Sequence, residues 1–130
     1  MSTIQSRMLI VDDEPLILGV LSDHFKPSYR VETATSGAEA LTAVRRERPD
    51  IMFLDIRMPH MSGIDVLKEI RTIDPTIAVV MVTALEHVAT AKEAIKIGAV
   101  GYVLKPFDLR HLDHVVAEIL ANRSRQDRPR

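Results

Sequence analysis

The chain has no cysteine and no tryptophan, and only two tyrosines, three phenylalanines and five glycines in 130 residues. Without cysteine there is no disulfide scaffold and no thiolate metal site, which suits a reducing compartment. No apolar run approaches the roughly 18–20 residues that a bilayer-spanning helix needs. Met1 to Arg7 lacks the apolar stretch of a secretory signal, so a cytoplasmic location is expected. A formal net charge of −1 supplies no bulk attraction to nucleic acid or to an anionic membrane. What remains is ordinary for one globular domain: 46% hydrophobic residues and 27% charged residues.

Short apolar runs recur along the chain at Met8–Val11, Ile51–Leu54, Ala78–Val82 and Tyr102–Leu104. Their length and β-branched content predict strands buried on both faces, the pattern of a parallel sheet. Tyr29–Ala34 alternates polar and apolar residues and predicts an edge strand. Helical periods lie between the runs. Ile17, Val20, Leu21 and Phe25 form one stripe, opened by Pro15. Ser36 and Glu39 form a capping-box pattern ahead of Ala40, Leu41, Ala43 and Val44. Gly63, Val66, Leu67 and Ile70 form a third stripe, stopped by Asp74–Pro75. Ala91, Ala94 and Ile95 form a fourth, ended by Gly98. Leu112, Val115, Val116, Ile119 and Leu120 form a fifth, with Asp108 as its N-cap. Domain bounds follow: a lead over residues 1–6, a folded domain over 7–122, and a solvated tail or linker over 123–130. Strict β-α alternation implies an α/β fold, a doubly wound parallel sheet with helices on both faces.

Such sheets bind ligands beyond the carboxyl ends of their strands. Asp12 and Asp13 follow the first run, Asp55 follows the third, Thr83 ends the fourth and Lys105 follows the fifth. Taken singly, each is bland: an aspartate pair before a helix is a cap, and a lone lysine is solvated. Together they are chemically complementary. Two carboxylates about 4 Å apart repel by roughly 4 kcal/mol at an effective dielectric of 20. Three at one mouth therefore call for a proton or a cation. Hard oxygen ligands suit Mg²⁺. A carboxylate nucleophile, a metal, a hydroxyl and an ammonium are the parts needed to receive a phosphoryl group.

The stretches VDDEP (residues 11–15), LDIRMPHMSG (54–63), VTA (82–84) and GYVLKPF (101–107) resemble response-regulator receiver domains of two-component systems. The likeness extends over residues 7–122 and includes the stand-alone chemotaxis regulators. It implies a single-domain (βα)5, flavodoxin-like fold with strand order 2-1-3-4-5. It implies that Asp55 is the phosphorylated nucleophile, supplied by a histidine kinase or histidine phosphotransfer protein that docks near the first helix. Asp13 is implied as a direct Mg²⁺ ligand and Asp12 as one acting partly through water. Asp55 and the Arg57 backbone carbonyl would complete the set. Thr83 and Lys105 would each bond a phosphoryl oxygen, and Thr83 and Tyr102 would form the switch pair. Lys105–Pro106 is a cis-peptide candidate, and Arg57 and Leu85 occupy positions that tune hydrolysis. The surface of the fourth helix, fifth strand and fifth helix would then serve a homodimer or an output partner. Direct binding to nucleic acid or membrane is not expected. The protein would catalyse only its own phosphorylation and dephosphorylation, with no metabolic substrate.

Three rivals are weighed against this. A phosphorylation-independent binding module would have lost the acidic pair, the nucleophile or the lysine. A haloacid-dehalogenase-type hydrolase would carry a second aspartate where Arg57 stands. A flavodoxin-like cofactor protein would carry a Gly/Ser/Thr-rich loop where Asp12–Pro15 stands. Elsewhere, Met52, Met58, Met61 and Met81 read as packing residues. His60 reads as a loop residue, His111 and His114 as a solvated face, and Arg45, Arg46 and Arg48 as a solvated helix end.

Overall fold

Each apolar run becomes a strand and each periodic segment a helix in the computed structural model, which describes residues 5–126. The elements are β1 (Arg7–Val11), α1 (Pro15–Phe25), β2 (Arg30–Ala34), α2 (Gly37–Arg46) and β3 (Ile51–Asp55). There follow α3 (Gly63–Ile73), β4 (Ala78–Ala84), a 3-10 turn at Leu85–His87, α4 (Val88–Ile97), β5 (Gly101–Lys105) and α5 (Leu109–Gln126). The five strands form one parallel sheet in the order 2-1-3-4-5.

Alternate residues of the inner strands feed two cores. Met8, Ile10, Phe53, Val80 and Val82 face α1 and α5, where they meet Leu18, Leu21, Phe25, Leu112 and Val116. Leu9, Val11, Met52, Leu54, Val79 and Met81 face α2, α3 and α4. Two buried faces are why these strands read as unbroken apolar runs. β2 lies at one edge and is half solvated, as its alternation predicts. Phe25 stacks on Phe53 at 6.0 Å and meets Tyr29 edge-on at 5.8 Å, closing the α1 core.

The helix ends follow their capping residues. Pro15 opens α1, and Ser36 Oγ accepts from the Glu39 N–H at 3.1 Å. The Glu39 carboxylate accepts in return from the Thr35 N–H at 2.8 Å, one residue ahead of the expected partner. Gly98 ends α4 at φ 135°, a conformation that favours glycine. The Asp108 carboxylate accepts from the Arg110 N–H at 2.8 Å at the start of α5.

Several expectations need correction. The buried stripe of α1 is Leu18, Leu21, Ser22 and Phe25, while Val20 is 54% exposed. Rotation by 100° per residue cannot place Val20 beside Leu18, and the sheet selects the face carrying Phe25. In α4, Ala91 and Ala94 are buried but Ile95 is exposed, because small residues let the helix lie close to the sheet. The tail expected over residues 123–130 overlaps the last turn of α5. α5 runs through Gln126, and the Arg123 guanidinium donates to the Asp50 carbonyl; residues 127–130 lie outside the described residues. Arg46 pairs with Glu32. Arg48 donates to Asp74 at 3.1 Å and to the Thr76 hydroxyl at 3.0 Å. Hydrogen bonds from the Thr76 hydroxyl and N–H, reinforced by Arg48, hold the Asp74 pKa down at about 2. Met52 and Met81 are buried, and Met58 and Met61 pack against the same core. His111 and His114 are exposed.

Candidate functional site

All the residues singled out at strand ends lie at the carboxyl edge of the sheet. Asp12 follows β1 and is only 2% exposed; its Oδ1 accepts from the Glu14 N–H at 2.8 Å, which fixes the side chain just before α1. Asp13 is exposed beside it. Asp55 is the last residue of β3 and is 6% exposed. Its Oδ1 lies 3.4 Å from the Arg57 N–H. One ligand atom from each of Asp12, Asp13 and Asp55 lies within 4.8 Å of the others, and no other such group occurs among the described residues.

Lys105 ends β5 and reaches back over β4 and β3. Its Nζ lies 2.9 Å from Asp12 Oδ2, 3.4 Å from Asp55 Oδ2 and 3.8 Å from Glu14 Oε1. The Lys105–Pro106 peptide is cis. Burial pushes the Asp55 carboxyl above its ordinary value, outweighing the attraction of Lys105, and the neighbouring Asp12 charge adds to the rise. Burial acts against the Lys105 charge too. The hydrogen bond to Asp12 and the charges of Asp55 and Asp12 overcome it and raise the lysine. Three carboxylates against one ammonium thus leave the pocket short of two positive charges, the deficit that a small divalent cation with oxygen ligands fills.

Thr83 is the penultimate residue of β4 and is buried, with its hydroxyl donating to the Ala84 carbonyl at 3.1 Å. Tyr102 is half buried and packs against the core shared by α2, α3 and α4. Leu85, at 73% exposure, stands in solvent, and His60 sits in the β3–α3 loop with φ 70°.

Two residues have roles that the sequence reading missed. Gly63 counted there as part of an apolar stripe and as the end of the LDIRMPHMSG stretch, with no role of its own. A Cβ at Gly63 would sit far inside contact distance of the Asp55 carbonyl oxygen and close to Ile56 Cα. Glycine therefore lets α3 begin directly against the end of β3, where the Gly63 N–H donates to the Ile56 carbonyl at 2.8 Å. Its presence in the first turn of a helix was the available signal. His87 had none: its Nε2 lies 3.2 Å from the Arg57 guanidinium across the mouth of the site. Asp13, Arg57, Met58, Pro59 and His87 help line a cavity of about 620 Å³ there.

Comparison with known proteins agrees with this geometry. The model of the response regulator receiver domain matches residues 8–117. Transcriptional regulatory protein ZraR of Klebsiella oxytoca is 40% identical over 130 residues, 99% of this chain and 29% of that protein. Regulatory protein AtoC of Escherichia coli is 41% identical over 116 residues, 88% of this chain and 25% of that protein. The chain thus spans under a third of these two curated relatives. Sporulation initiation phosphotransferase F of Bacillus subtilis is 36% identical over 119 residues, covering 91% of this chain and 96% of the relative. The crystal structure of the receiver domain of NtrX from Brucella abortus superimposes with a TM-score of 0.83 at 31% identity, covering 88% and 98% of the two chains. No helix among the described residues is long and apolar enough to cross a membrane. Receiver domains are signalling domains, not metabolic enzymes, and on its fold, its acidic pocket and its sequence this chain belongs to the response regulator receiver domain family.

Proposed function

We propose that Asp55 accepts a phosphoryl group in a two-component phosphorelay, with Mg²⁺ held by Asp12, Asp13, Asp55 and the Arg57 backbone carbonyl. The single observation that carries this is the convergence of three carboxylates within 4.8 Å, the two buried ones paired with one ammonium. An Asp55 carboxylate oxygen attacks phosphorus and forms the acyl phosphate. The bond from phosphorus to the donor breaks, and the donor, a histidine imidazole or the carboxylate of a small acyl phosphate, leaves with the electron pair. The metal, when bound, supplies the positive charge that offsets the phosphoryl oxygens. Lys105 would pair with one such oxygen by exchanging its carboxylate partners. Thr83 would turn its hydroxyl from the Ala84 carbonyl toward another, and Tyr102 would follow into the space released. A local charge change of this kind biases a two-state surface.

Two exposed apolar patches support the partners inferred. Leu16 and Val20, at 84% and 54% exposure, stand on α1 beside the site and suit a docking kinase or phosphotransfer protein. Ile95, Val100 and Leu104 are exposed along α4 and β5 and suit a dimer or an output partner. The receiver unit is proposed to include residues 7–122 and the rest of α5, with the cytoplasm as its location. Its autodephosphorylation is attack of water on the acyl phosphate, which releases inorganic phosphate and restores the Asp55 carboxylate.

The test is intact-protein mass spectrometry after incubation with acetyl phosphate and Mg²⁺. A single gain of about 80 Da, lost with EDTA and in Asp55→Asn, is the expected result. A folded protein that takes up no adduct under any condition would favour a phosphorylation-independent binding module instead.

A further inference from the structure

The mouth of the site is crossed by one side-chain contact that the chemistry above does not use. Arg57, two residues after Asp55, extends its guanidinium to His87 Nε2 at 3.2 Å. A guanidinium has only donors, so Nε2 must be the acceptor and the imidazole proton sits on Nδ1. His87 belongs to the 3-10 turn after β4 and is the N-cap residue of α4, and its ring makes no capping bond. The bond therefore ties the β3–α3 loop to the start of α4.

Resting on the phosphorylation of Asp55 proposed above, we infer that His87 is a positioning residue that parks Arg57 on the α4 side of the mouth and so sets the lifetime of the acyl phosphate. Arg57 Nη1 has no carboxylate partner among the described residues; His87 holds it. Its backbone N–H already lies 3.4 Å from Asp55 Oδ1, so the side chain is rooted beside the acceptor carboxylate. A phosphoryl group there offers anionic oxygens, and a charge-assisted bond to them is stronger than one to a neutral imidazole. Hydrolysis needs water in line with the bond to Asp55, which means an approach through the open mouth. Parked on His87, the guanidinium leaves that approach clear. Released, it lies over the phosphoryl group and excludes the water. The same exchange frees the N-cap residue of α4 when Asp55 is phosphorylated, so the latch links the site to α4 separately from Thr83.

The experiment follows loss of the acyl phosphate by mass spectrometry in the parent, His87→Ala, His87→Gln, Arg57→Ala and the Arg57→Ala/His87→Ala double variant. After removal of acetyl phosphate, with Mg²⁺ present, His87→Ala should lengthen the half-life about fivefold, the rate equivalent of one hydrogen bond. His87→Gln retains an acceptor and should stay near the parent. In the Arg57→Ala background His87→Ala should change nothing, an outcome that a merely structural role for His87 would not produce. An unchanged half-life in His87→Ala, or a change that persists without Arg57, overturns the latch while leaving the phospho-acceptor intact. A parent protein that takes up no phosphoryl group overturns both.

Discussion

Replacing Lys105 with methionine keeps the stem and removes the one cation among Asp12, Asp13 and Asp55. At 2.9 and 3.4 Å, and at an effective dielectric of 20, each lysine–carboxylate attraction is about 5 kcal/mol gross. Desolvation of the ammonium offsets most of that sum. Breaking a fully buried pair costs about 3–5 kcal/mol. Lys105 keeps 19% of its side chain exposed and Asp13 is solvated, so water can answer part of the deficit. A loss of about 2 kcal/mol at pH 7, or a Tm lower by about 8 °C, is the expected size. The pH dependence has a definite sign. A lysine whose folded pKa is raised contributes its stability fully below the unfolded value of 10.5, and loses it as pH rises through the folded value. On the acid side, Asp55 takes up its proton early because its pKa is raised, and the value of the ammonium falls with it. Urea unfolding of Lys105→Met and parent at pH 4, 7 and 9 should show the gap open at pH 7 and 9 and narrow at pH 4. Mg²⁺ at a hundredfold the dissociation constant stabilises either protein by about 2.7 kcal/mol. At one fixed concentration it should stabilise Lys105→Met more, because the carboxylates freed of the ammonium bind the cation more tightly, so the gap should narrow. A gap that is equal at all three pH values and indifferent to Mg²⁺ would refute the electrostatic account and leave only lost packing.

Asp55→Asn should raise the urea midpoint at neutral pH without Mg²⁺, because burial lifts the Asp55 pKa and the folded state binds the proton more tightly than the unfolded one. Stability of the parent falls as pH rises from 3.8 through that lifted value, so the advantage of Asn should shrink on acidification; an advantage that grows there would contradict the sign. Gly63→Ala forces a Cβ against the backbone of Asp55 and Ile56, and should cost about 3 kcal/mol and slow phosphorylation as α3 is pushed off β3. Thermal unfolding and acetyl-phosphate uptake check it, and a variant neutral in both would show that the close approach relaxes freely. Asp74 is held at a pKa of about 2, so its charge stabilises above 3.8 and the contribution is lost as pH falls through 2. Because solvent screens these exposed contacts, Asp74→Asn should be less stable than the parent at pH 7 by no more than about 1 kcal/mol and converge with it near pH 2, as followed by circular dichroism.

Much of this protein is legible along the chain because its strands are buried on both faces. Ile51–Leu54 and Ala78–Val82 announce themselves as apolar runs, and the caps at Ser36, Gly98 and Asp108 act within a few residues of themselves. The site residues could be picked out as well, since a parallel sheet must present whatever follows its strands at one edge. The tertiary structure decided what depends on rotation, depth and long-range approach. Which side of α1 is buried is set by the sheet beneath it, so Leu18 goes in and Val20 stays out. That Asp12 is buried and Asp13 solvated depends on the direction of one peptide at the end of β1. The reach of Lys105 across 93 positions to Asp12 and the meeting of Arg57 with His87 have no local signature. Periodicity and capping are short-range and survive in a linear reading, whereas proximity between distant segments exists only once the sheet has brought their ends together.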